Sequence, residues 1–172
     1  MEDSVPFASR EYFVVLALLL FGRGMDFLST WVATPNLALE ANPIAKKLGW
    51  KWGALVNLLL SGLLAVWPLP AVIVVTTSLL VASRNFKSAW AMRAMGEDEY
   101  RAWVAGVMTR TPLGLYLACL FGETLLTGTV GAGVVNFAGN WLVLAIGLGI
   151  IGYAIAVAFY TLLSLWRMRR YR

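Results

Sequence analysis

Long apolar runs alternate along the chain with short breaks rich in proline, glycine and charge, and each run is long enough to propose a helix buried on all sides. Residues 12–22 are almost wholly apolar and Pro35 then stops a helix, which predicts a first helix over 11–34. The next apolar region, residues 53–83, is too long for one ordinary span and is interrupted by Trp67, Pro68, Leu69 and Pro70. Two prolines so close predict a turn between helices over 51–67 and 69–95, with Gly96 suited to the helix end. Over 97–108 the pattern changes: Tyr100, Trp103, Val104, Val107 and Met108 recur at helical spacing opposite Glu97, Asp98, Glu99 and Arg101. That is an amphipathic helix suited to a membrane surface, with its three acids in the first turn where the helix dipole favours them. Apolar runs over 112–137 and, after Ala138, Gly139 and Asn140, over 141–166 complete the pattern. The expected fold is an all-α polytopic transmembrane helical bundle: one membrane domain over 1–172 with five spans and one interfacial helix.

Composition agrees, since 60% of the 172 residues are hydrophobic, 13% are charged and the mean hydropathy is +0.74. The segment before the first run carries Glu2 and Asp3 and no small-residue cleavage pattern follows, so it reads as a retained span rather than a cleaved leader. The charge of +5 follows membrane topology, which excludes nucleic acid as the expected partner. With five spans and the amino terminus outside, Lys46, Lys47, Lys51, Arg84, Lys87, Arg93, Arg101, Arg110, Arg167, Arg169, Arg170 and Arg172 all face the cytoplasm. Only Arg10 is left outside and Arg23 within a span, whereas one long helix over 53–83 would split the basic residues between sides. The eight tryptophans fall near span ends or on the surface helix, as interfacial anchors do. The expected location is a prokaryotic cytoplasmic membrane.

The sequence has no histidine, which excludes His-ligated haem, zinc sites of the His type and the commonest general base. Its single cysteine, Cys119, lies in an apolar stretch and is expected to serve packing. Small residues four apart, at Gly128 and Ala132, Ala145 and Gly149, and Gly152 and Ala156, permit close helix contact.

Candidate chemistry rests on polar residues placed where lipid should be, because a mid-bilayer charge costs about 2.5–3.5 kcal/mol on insertion scales and normally faces a partner or cavity. Arg23, Asp26 and Thr30 share one face of the first helix. Glu123 has apolar or small neighbours and lies about a dozen residues into the fourth span, near mid-membrane, where it needs a proton, a cation such as Arg23, or a metal. Asn42 can cap a helix beginning at Pro43, while Glu40 has no such local role and returns towards Asp26 and Thr30. Asn57 and Asn85 fall at similar depth on the second and third spans. Together these residues point to a polar site open to the cytoplasm, and each also has a plain structural reading as a buried pair, an interhelical hydrogen bond or a cap.

Asp26, Thr30, Glu40, Asn42 and Pro43 form a D-x3-T then E-x-N-P pattern over residues 26–43. It resembles that of small multi-pass prokaryotic membrane proteins whose domain family has no assigned function. The resemblance implies that the polar group is a site and supplies no activity.

Three functions compete. In cation- or proton-linked binding or transport, Asp26, Glu40 and Glu123 offer hard oxygen ligands and Asn42 or Asn57 a carbonyl, suited to magnesium, calcium, manganese or sodium. In an accessory subunit or scaffold, Arg23 with Asp26 and Glu123 only lock helices, and the partners are membrane lipids with other membrane subunits or a homo-oligomer. The third is an enzyme acting on lipid headgroups, with Arg23 or Arg84 on phosphate. It ranks last, because no paired acid motif and no nucleophile beside a base is present.

Overall fold

The computed structural model describes residues 4–170, with side chains to Arg167. Glu2, Asp3 and Arg172, and the side chains of Arg169 and Arg170, therefore lie outside the described residues. Those residues form six helices and no strand: α1 (Arg10–Ala33), α2 (Pro43–Leu64), α3 (Pro68–Met95), α4 (Glu97–Arg110), α5 (Leu113–Asn136) and α6 (Trp141–Arg170). The breaks have local causes. Ser9 caps α1 by accepting from the Tyr12 N–H, and Asn42 caps α2 by accepting from the N–H groups of Ile44 and Ala45. Pro43 and Pro68 each occupy a first turn, where a missing N–H costs nothing. Gly96 turns the chain between α3 and α4 at φ +82°.

Four helices, α1, α3, α5 and α6, are long and apolar enough to cross a membrane. Large apolar side chains such as Phe13, Leu59, Phe121, Leu126 and Phe159 are exposed on the helix surfaces, as a lipid solvent permits and water does not. The second helix differs from the expected 51–67. It starts at Pro43, because the Asn42 cap and Pro43 nucleate it early, and Gly49 breaks it at φ +67°, ψ −172°. With Lys46 and Lys47 before that break and Lys51 just beyond it, only residues 52–64 form its apolar part.

α3 lies at the centre, packed on one side by α1 and on the other by α6, and α6 is covered in turn by α5. Gly22 meets Val75, Arg23 bonds Ser78 and Ser29 bonds Asn85, so α1 and α3 run parallel. Tyr12 bonds the Gly62 carbonyl, Arg23 bonds Asn57 and Phe27 meets Trp50 edge-on, so α2 runs antiparallel to α1. Gly149 meets Ile73 and Thr76 while Gly152 meets Thr77, so α6 runs parallel to α3.

Of the small residues singled out from sequence, Gly149 is tight: a methyl there would stand 2.6 Å from Thr76 Cβ and 3.0 Å from the Ile73 carbonyl oxygen. Gly128 faces open space, and the α5–α6 contact uses Gly131 and Gly147 instead, where a methyl on Gly147 would lie 2.9 Å from the Val135 nitrogen. Cys119 is exposed rather than packed.

Candidate polar site

Arg23 lies ten residues before the end of α1, about 15 Å at 1.5 Å per residue, and its guanidinium joins three helices. Nε donates to Asn57 Oδ1 on α2 at 2.7 Å, and Nη1 donates to Asp26 Oδ2 at 2.8 Å and to Ser78 Oγ on α3 at 3.0 Å. Asn57 in turn donates to the Gly53 carbonyl, which fixes its amide so that Oδ1 faces the arginine. The Arg23 and Asp26 side chains retain 29% and 18% of their surface, so the centre is mostly enclosed but reachable. Among the described residues nothing bonds Arg23 Nη2 or Asp26 Oδ1.

One turn towards the end of α1 the polar seam continues. Ser29, fully buried, donates to the Asp26 carbonyl, and Asn85 Nδ2 donates to Ser29 Oγ at 3.2 Å and Thr30 Oγ1 at 3.3 Å. The expectation that Glu40 lacks a local role is corrected, since its Oε1 accepts from the Asn42 N–H at 2.7 Å and braces the turn into α2.

The loop between α1 and α2 gathers partners from across the fold. Glu97, the first residue of α4, accepts from the N–H groups of Asn36 (2.8 Å) and Ala38 (3.0 Å) on either side of Leu37, which takes the left-handed φ of +54°. Arg101 and Lys46 donate to the Ala38 carbonyl, Trp50 to the Pro35 carbonyl and Arg167 to the Ala41 carbonyl. Arg93 lies over the Trp31 ring, 5.5 Å from its centroid. A cavity of about 300 Å³ adjoins the loop, lined by Pro35, Asn36, Ala38, Arg93, Glu97 and Asp98 among others.

Arg84 and Glu123 stand apart from this seam. Glu123 accepts from Arg84 Nη1 at 2.9 Å, on the opposite flank of α3 from α1, with 37% and 47% of the two side chains exposed. Glu123 is therefore neither enclosed nor held by Arg23, because α6 separates α5 from the α1–α2 side. The structure thus brings together Arg23, Asp26, Thr30, Asn57 and Asn85, sets Glu40 and Asn42 in the adjoining loop, and places Arg84 with Glu123 elsewhere. Among the described residues no three histidine, cysteine, aspartate or glutamate side chains gather as a metal cage.

Sequence reasoning missed Ser29, Ser61 and Ser78, because a lone serine in an apolar helix carries no periodic signal. A groove of about 190 Å³ adjoins Arg23 and is lined by Leu19, Asn57, Leu60, Ser61, Leu64 and Val74. No family model, no curated protein and no solved structure matches this chain. The class that the fold defines is a helical protein with membrane-spanning character.

Proposed function

We propose that this chain is a small five-span protein of a prokaryotic cytoplasmic membrane, amino terminus outside, that binds an uncharged membrane-soluble ligand at the Arg23 centre without catalysing a reaction. The five-span reading is supported by helix direction. α1 and α3 are adjacent and parallel, so the chain has to return through α2, short as its apolar part is. That topology keeps the described basic loop residues on one side.

The binding reading is carried by one observation: a mostly enclosed guanidinium, neutralised by Asp26 and fixed by α2 and α3, keeps one nitrogen free beside an apolar groove. A helix lock alone has no use for that opening. Cation-linked transport through Asp26, Glu40 and Glu123 is the weaker form of the reading, because Arg23 and Arg84 already neutralise two of those carboxylates and Glu40 serves its own loop. The test is thermal stability of the detergent-solubilised protein across magnesium, calcium, manganese and sodium, for wild type, Asp26→Asn and Glu123→Gln. No cation is expected to give a saturable shift; a shift for one cation that either substitution abolishes would restore the ion-linked reading.

The half-exposed Arg84–Glu123 pair favours a second reading, an accessory subunit whose partner covers that flank. Purification in mild detergent would then yield a stoichiometric partner, lost in the Arg84→Gln, Glu123→Gln double variant.

A further inference from the structure

We infer that the groove between α1, α2 and α3 is a binding site for a neutral carbonyl-bearing amphiphile drawn from the lipid phase, held at its carbonyl by Ser61 and Arg23. The inference rests on the Arg23 reading above and names its ligand class. Three serines are buried along these helices, and two of them are explained: Ser29 donates to the Asp26 carbonyl and Ser78 accepts from Arg23. Ser61 retains only 2% of its surface, yet among the described residues its hydroxyl has no partner. Burying a hydroxyl unpaired is costly, and what little surface Ser61 keeps includes its oxygen, which opens on the groove. Arg23, with Nη2 unbonded, lines the same groove. Two donors therefore border one small space.

The walls define the rest of the ligand. Leu19, Leu60, Leu64 and Val74 are apolar and suit a hydrocarbon body. The volume of about 190 Å³ accommodates a carbonyl head and the first methylenes of a chain, with the remainder in the bilayer. Charge balance selects the head: Asp26 at 2.8 Å already neutralises Arg23, so a carboxylate or phosphate would bring an uncompensated negative charge into a low-dielectric site. An ester or ketone oxygen accepts from both donors and brings none.

The test uses a spin-labelled fatty-acid methyl ester in nanodiscs of ether-linked phosphatidylcholine, which has no ester carbonyl of its own, containing the full chain, with the free fatty acid and a label lacking any carbonyl as comparisons. Wild type should give a saturable immobilised population for the ester and none for the carbonyl-free label. Ser61→Ala should weaken ester binding about fivefold, the equivalent of one neutral hydrogen bond, with an unchanged melting temperature. Ser61→Phe, which fills the groove, should abolish it. Ester binding that survives Ser61→Phe but disappears in Arg23→Gln would overturn the groove while leaving the Arg23 centre standing. No saturable ester population in wild type, or tighter binding of the free acid than of the ester, would overturn the inference outright.

Discussion

Arg23 stabilises the fold through geometry as much as charge, since each of its bonds ends on a different helix or turn. Arg23→Gln should cost about 3 kcal/mol, the usual penalty when one partner of a buried pair is removed and the other is left uncompensated. Arg84→Gln should cost under about 1 kcal/mol, because its pair with Glu123 is substantially exposed. Melting temperatures of the two variants in one detergent check that order; equal losses would contradict it. Only part of this centre was legible in the sequence. The three- and four-residue spacing of Arg23, Asp26 and Thr30 announces a shared face, because helical periodicity is local information. The pairing of Glu123 with Arg84 was not legible, since it depends on which flank of α3 faces α5, a property of tertiary packing that spacing along the chain does not encode.

At the scale of elements, close approach decides which substitutions matter. Gly147→Val should destabilise the α5–α6 hairpin by about 1–3 kcal/mol, the range for overpacking, whereas Gly128→Ala should be nearly neutral, read by resistance to unfolding in dodecyl sulfate. Both glycines look alike in sequence; rotation of each helix about its axis separates them. α2 makes the same point. Lys46, Lys47 and Lys51 mark the start of an apolar run, but the Asn42–Pro43 cap starts the helix earlier and Gly49 breaks it. The α4 helix owes its attachment to Glu97, which gives two loop N–H groups their acceptor. Glu97→Ala should hand the exposed Asn36 N–H to water and leave the part-buried Ala38 N–H without its acceptor, cost about 1 kcal/mol, and speed proteolysis within residues 35–41. Unchanged cleavage there would show that the loop is held by its other partners, Trp50 and Arg101, alone.

Across the whole molecule, the apolar helical character was legible because a lipid solvent imposes long uninterrupted hydrophobic runs, while the order in which helices pack was not. α3 at the centre, flanked by α1 and α6, follows from side-chain fit at Gly22, Val75, Thr76 and Gly149. The Arg23 centre depends on that arrangement, since Asn57 reaches it only if α2 returns through the membrane beside α1. The most direct measurement is therefore labelling of single cysteines by a membrane-impermeant maleimide in intact spheroplasts, in a Cys119→Ser background. Trp67→Cys, at the turn between α2 and α3, should label from outside, and Lys47→Cys only after permeabilisation. Labelling of both from the same side would mean that α2 does not cross, and the three-helix centre around Arg23 could not stand as described.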